Sequence, residues 1–153
     1  MKKIIYVDMD NVLVDFKTGI EKLDENTRKL YEGRLDDVPH IFSLMDPIKG
    51  SIEAIKVLAF NYEFFILSTS PWLNPTALQD KLDWIKTYFG GDPESIFYKK
   101  VIFTHRKDLL RGDYLIDDRT KNGADCFEGK LIQFGNHEFE NWDSVLDFLF
   151  ELQ

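Results

Sequence analysis

The chain has 153 residues, 44% of them apolar and 30% charged, with a formal net charge of −8. That balance suits one folded domain and excludes a disordered chain. It also argues against a nucleic-acid polymer as partner, which requires clustered Lys and Arg, but not against a small phosphorylated ligand held by one local basic cluster.

In chain order, Ile4-Ile5-Tyr6-Val7 reads as a first buried strand, running straight into Asp8-Met9-Asp10. Residues 15–46 break the rhythm that follows. Phe16, Ile20 and Leu23 suggest a helix, then comes a polar stretch and Val38-Pro39-His40-Ile41-Phe42. This is too long for an ordinary loop and is expected to be a small inserted cap within a single domain spanning 1–153. Residues 51–60 predict a short apolar helix, and Phe64-Phe65-Ile66-Leu67 a second strand ending in Ser68-Thr69-Ser70. Asn74 and Pro75 read as the N-cap and first position of a helix whose inner face is Leu78, Leu82, Ile85 and Phe89, closed by Gly90-Gly91. Val101-Ile102-Phe103, Tyr114-Leu115-Ile116 and Leu131-Ile132-Gln133-Phe134 supply three more strands, and 142–150 a final helix. The strands are near-continuously apolar and alternate with helical patterns, which predicts an α/β fold with a parallel sheet covered by helices. Trp84 and Trp142 read as helix-face core residues.

Met1-Lys2-Lys3 leads into four apolar residues before Asp8, so no signal peptide is expected, and no apolar run approaches membrane-spanning length. The single cysteine, Cys126, cannot form an internal disulfide, which fits a cytoplasmic location; it reads as a plain packed or half-exposed thiol.

Polar groups follow the strand ends in a fixed order: Asp8 and Asp10, then Thr69 and Ser70, then Lys107, then Asp117 and Asp118. In open parallel sheets ligands bind outside the carboxyl ends of the strands, so these groups are expected to converge on one crevice. Singly, each acidic pair would be ordinary turn chemistry; their common position points to a site. Two unit charges about 4 Å apart repel by roughly 4 kcal/mol at an effective dielectric near 20. The four carboxylates therefore need protons or a cation among them, and an all-oxygen donor set suits Mg²⁺. Asp8 and Asp10 point the same way from one strand, so one can attack phosphorus while the other handles a proton. Lys107 supplies positive charge for a phosphate and Thr69 or Ser70 hydroxyl donors. His40 and His137 read as surface residues; His105 lies near the site.

The segment Asp8-Met9-Asp10-Asn11-Val12-Leu13-Val14-Asp15-Phe16 resembles the first motif of the haloacid dehalogenase superfamily of phosphatases, most closely the 5′(3′)-deoxyribonucleotidases. Ser68-Thr69-Ser70-Pro71, Thr104-His105-Arg106-Lys107 and Leu115-Ile116-Asp117-Asp118 resemble the second, third and fourth motifs. The resemblance implies a Rossmann-like five-stranded parallel sheet of order 3-2-1-4-5, with a small helical cap after the first strand. It implies Asp8 as nucleophile and Mg²⁺ ligand, and Asp10 as general acid and base with its backbone carbonyl on the metal. Asp118 would be a further ligand and Asp117 a supporting one, behind it or through water. Thr69, Ser70 and Lys107 would bind phosphate, and Phe16 and Phe42 would enclose the base, with Trp72 at the pocket rim. Two departures bear on specificity: the cap is short, and Asn11 stands where the family usually has Gly. The expected substrate is a nucleoside monophosphate; another small phosphomonoester, such as a sugar phosphate, is the alternative. A phospho-accepting receiver domain and an inactive binding module fit the motif order less well. The only macromolecular partner in view is a second copy of the chain, in a homodimer.

Overall fold

The computed structural model describes residues 1–153. Its first strand, β1 (Lys3–Val7), becomes wholly buried from Ile5 onward. After it come a short ribbon strand β2 (Val14–Asp15), helices α1 (Phe16–Glu21) and α2 (Glu25–Leu30), and the ribbon's other half, β3 (Asp46–Pro47). Helix α3 (Ser51–Leu58), strand β4 (Tyr62–Ser68), helix α4 (Ala77–Phe89) and strand β5 (Val101–Phe103) follow. Strands β6 (Tyr114–Asp117) and β7 (Lys130–Gln133) and helix α5 (Trp142–Glu151) complete the chain. No helix is long and apolar enough to cross a membrane.

The sheet order is β5-β4-β1-β6-β7, all neighbours parallel. Counting sheet strands alone, with the β2–β3 ribbon set aside, this is the expected 3-2-1-4-5. Strand β1 is central: Val7 pairs with Ile66 on one side and Ile116 on the other. The residues that continue these strands, Asp8, Ser68 and Asp117, therefore emerge side by side at one edge.

Alternation sends neighbouring side chains to opposite faces. Ile5 and Val7 enter a large apolar cluster, while Tyr6 enters a small one with Leu67, Leu115, Ala124 and Phe127. Helices α3, α4 and α5 all feed the large cluster. The small one is closed by Ala124 and Phe127, beside a 3₁₀ turn over Ala124–Cys126, rather than by an α-helix. Right-handed crossovers explain this. The chain moves one way along the sheet from β1 to β4 to β5, so α3 and α4 share a face. It then steps the other way through β6 and β7, and those connections, on the opposite face, hold only 3₁₀ turns.

Several local expectations shift. The fifth sheet strand runs one residue earlier than Leu131–Phe134, and the helix expected over 51–60 ends at Leu58, leaving Phe60 80% exposed. Helix α4 starts at Ala77, not Pro75. The Asn74 side chain caps nothing further down the helix: its Oδ1 accepts from Thr76 N at 3.0 Å, while its amide donates to Asp36 O and Val38 O at 2.8 and 3.0 Å. Nor is α4 oriented as its leucines suggest. Ala77, Asp80, Lys81, Trp84 and Ile85 face inward, and Leu78 is exposed. Trp84 and Trp142 are core residues as expected, each donating its indole N–H to a backbone carbonyl, Met45 O and Val12 O.

The segment between β1 and α3 is pinned at its base by the ribbon, where Asp15 pairs with Asp46. It does not stand apart, because Val38, Ile41, Phe42 and Met45 are buried in the main core. Helix α1 approaches the Ile41 turn so closely that a Cβ on Gly19 would meet Met45 Cγ at 2.9 Å.

Candidate active site

Asp8 follows β1 directly, held by its N–H donating to Ile116 O at 2.9 Å, and is buried. Lys107 Nζ lies 3.2 Å from Asp8 Oδ1 and 2.5 Å from Asp117 Oδ2. The lysine is 2% exposed, on a 3₁₀ turn whose first N–H donates to Asn122 O. Burial works against its charge, but the Asp8 and Asp117 carboxylates outweigh that and hold the ammonium above its ordinary range. Asp117 Oδ1 accepts from Arg119 N at 3.0 Å, so both its oxygens are engaged within the protein.

Carboxylate oxygens of Asp8, Asp117 and Asp118 lie within 4.8 Å of one another. Asp118 Oδ1 is buried without a hydrogen-bond partner. Burial first, then the Asp8 and Asp117 charges, push the Asp118 carboxyl up to about 7. Burial likewise raises Asp8 against the pull of Lys107. An orphaned buried oxygen within a set of hard oxygen donors is what a bound cation relieves, so these residues fit one.

The sequence reading missed Lys81. It is 0% exposed and reaches in from α4, donating to Ser68 Oγ (2.9 Å), Thr69 O (2.8 Å) and Asp10 Oδ2 (3.2 Å). Its ammonium also sits 4.5 Å from the centre of the Phe42 ring. The signal was present: Ala77, Lys81, Trp84, Ile85 and Tyr88 recur at helical spacing, and a lysine within such a stripe needs a buried partner. Burial raises the Asp10 carboxyl most strongly, Lys81 opposes it and Asp8 adds to it; the net direction is up. Burial, rather than the neighbouring carboxylates, is the main cause. With Lys81 counted, four carboxylates face two ammonium groups, a formal charge of minus two.

Among the other expected residues, Thr69 Oγ1 donates to Thr104 O at 2.8 Å, tying the β4 loop to the β5 loop. Ser70 is partly exposed beside it. Phe16 and Phe42 meet edge-on with ring centres 6.0 Å apart, but Phe42 is only 2% exposed and backs onto Lys81. Its ring is core, because the short cap collapses onto the main cluster. Trp72 is 86% exposed. His105 is exposed against Trp72, whereas Arg106 turns away to pair with Asp108 at 2.6 Å. Asn11 takes the left-handed conformation, φ 59°, which Asn tolerates better than most residues.

Residues 20–146 match the family model described as 5′ nucleotidase, deoxy (Pyrimidine), cytosolic type C protein. The chain belongs to this family. It is thereby a phosphatase of the 5′-nucleotidase type. A Vibrio phage KVP40 protein named "Putative 5'(3')-deoxyribonucleotidase" is 50% identical over 148 residues, covering 97% of this chain and 85% of that protein. The 5′(3′)-deoxyribonucleotidase of Bacillus subtilis is 28% identical over 156 residues, covering 88% of this chain and 86% of that protein. Among solved structures, a haloacid dehalogenase-like family hydrolase of Streptococcus pneumoniae is similar at 14% identity and a TM-score of 0.45, covering 97% of this chain and 98% of that one.

Proposed function

We propose that this 5′-nucleotidase-family phosphatase hydrolyses deoxyribonucleoside monophosphates through a phosphorylated Asp8. The observation that carries the reading is the convergence of Asp8, Lys107 and the Asp10–Lys81 pair at one sheet edge, with a cation-fitting carboxylate set beside them. Mg²⁺ is the cation these all-oxygen donors suit, held by Asp8, Asp118 and the Asp10 backbone carbonyl, with Asp117 supporting Lys107 from behind. When bound, it supplies positive charge against the phosphate and the crowded carboxylates.

Asp8 attacks phosphorus, forming the aspartyl-phosphate bond as the ester P–O bond breaks. Asp10, in its protonated form, gives its proton to the departing alkoxide oxygen. The resulting Asp10 carboxylate then takes a proton from water as that water attacks the same phosphorus, releasing inorganic phosphate and restoring both aspartates. Burial supports the first step by keeping Asp10 protonated, and Lys81 supports the second by favouring its anion. Lys107 orients Asp8 and faces the phosphate; Ser70 offers a hydroxyl donor. Thr69 contributes mainly by fixing the loop, since its proton is committed to Thr104 O. The exposed, unpaired Cys126 accords with a reducing cytoplasm.

Phosphate release across deoxyribonucleotides, ribonucleotides and sugar phosphates, with and without Mg²⁺, tests the reading. Multiple-turnover release, fastest on deoxyribonucleotides and dependent on Mg²⁺, is expected. Better turnover of sugar phosphates would overturn the substrate assignment, and a single stoichiometric phosphorylation would indicate a receiver instead.

A further inference from the structure

Asp80 is 8% exposed, and its Oδ2 atom is buried without a hydrogen-bond partner. The chemistry proposed for Asp8 and Asp10 makes no use of it. A buried carboxylate oxygen left unpaired is costly, so its surroundings should answer it. The basic group that reaches it is His40 Nδ1, at 3.4 Å. A proton on that nitrogen is the donor the carboxylate lacks.

His40 is placed for this at some strain. Its backbone is left-handed, φ 68°, a conformation uncommon outside glycine. Its N–H donates to Thr76 Oγ1 at 2.8 Å, and its carbonyl accepts from Ser43 Oγ at 2.6 Å and Ser43 N at 3.0 Å. Thr76 and Asp80 stand one helical turn apart, on the same side of α4. Residue 40 therefore meets that helix twice, by its backbone at Thr76 and by its ring at Asp80.

Helix α4 needs an outside hold at this end. Thr76 is its N-cap, yet the Thr76 side chain makes no capping bond, because its hydroxyl accepts from His40 N and donates to Asn74 Oδ1. One turn further on, Trp84 is fixed through Met45 O. Between these points lies Lys81, the neighbour of Asp80, with its ammonium on Asp10 Oδ2, Ser68 Oγ and Thr69 O. A small rotation of the first turns of α4 would draw that ammonium away from all three.

We propose that His40 and Asp80 are positioning residues. Together they clamp the first turn of α4 and so hold Lys81 against Asp10 and the Ser68–Thr69 loop. Neither touches the reacting atoms. The kinetic effect rests on the phosphatase reading of Asp10, whereas the clamp itself does not. Misplacing one member of a catalytic constellation by about 1 Å can cost roughly a hundredfold, so partial release of Lys81 should cost about tenfold.

Two substitutions separate the ring from the backbone. His40→Gly removes the imidazole and accepts the left-handed conformation. His40→Asn also tolerates that conformation and returns an N–H to the place of Nδ1, since both nitrogens are bonded to Cγ. His40→Gly should lower kcat about tenfold with KM changed less than about twofold, and His40→Asn should restore most of the loss. Asp80→Ala should lose as much as His40→Gly, and the double variant no more than either alone. The readout that needs no substrate is the exchange-protected ammonium signal of Lys81 in proton–nitrogen NMR, identified by its loss in Lys81→Met. That signal should broaden or vanish in His40→Gly and persist in His40→Asn, with the Lys107 signal unchanged in both. An unchanged kcat or Lys81 signal in His40→Gly overturns the clamp, as does an Asn variant no better than the Gly variant. Effects that multiply in the double variant overturn it too. Loss of both ammonium signals would make the pair a general stabiliser rather than a clamp on Lys81. If wild type releases phosphate from no nucleotide, the functional reading fails, while the Lys81 signal still decides the clamp.

Discussion

Lys81 Nζ sits 3.2 Å from Asp10 Oδ2, joining residues 71 positions apart across the floor of the site. The same ammonium holds Ser68 Oγ and Thr69 O, so one buried charge ties the proposed acid–base residue to the phosphate loop. Its removal should therefore act on chemistry and fold together. Lys81→Met is expected to lower kcat by about two orders of magnitude. Losing the buried partners should cost about 2 kcal/mol in a urea melt. Because Lys81 draws the Asp10 carboxyl down against the effect of burial, its loss should also move the alkaline limb of the pH–rate profile to higher pH. A limb that stays in place would separate Asp10 from the rate-controlling proton.

Asp8 is buried with a carboxyl that burial pushes up, so keeping it ionised opposes folding in the metal-free protein. Asp8→Asn should abolish turnover and leave Lys107 paired with Asp117. Relief of the buried charge should leave thermal stability equal to wild type or about 1 kcal/mol higher. Residual turnover above background would refute Asp8 as nucleophile.

Asp118 gives the pH dependence a definite sign. Between its ordinary value of 3.8 and about 7, the folded chain holds a proton that the unfolded chain has released. Stability of the metal-free protein should therefore fall as pH rises through that window and stay lower above it. Asp118→Asn should flatten the slope. Added Mg²⁺ should raise Tm more at pH 8 than at pH 5, because protons compete for the same oxygens. A Tm increase independent of pH would place the cation elsewhere.

Asn74 links the segment before β3 to the loop that carries Ser70 and Trp72. Asn74→Ala should strand two carbonyls, one of them in a buried contact, and cost about 2 kcal/mol in chemical denaturation. A loss under 0.5 kcal/mol would mean the cap is held without it.

The strands and the order of the polar groups were legible because both are local. A buried strand is a short apolar run whatever lies beside it, and Asp8, Ser70, Lys107 and Asp117 stand at or just beyond the ends of such runs. What the sequence by itself determined is thus the parallel α/β class and the carboxylate, hydroxyl and lysine inventory of the crevice. Tertiary structure decided the rest. Lys81 does not stand out in the sequence because a helix lysine is ordinarily solvated; only the rotation of α4 about its axis brings it under Phe42 and against Asp10. Asn74 looked like a helix cap, but the cap's carbonyls outbid the helix for its amide. Phe42 looked available to a base until the short insertion packed into the shared core, while Trp72, in a loop pinned from both sides, kept its ring in solvent. Each case turns on partners distant in sequence, where burial and charge pairing outweigh the local preference of the residue.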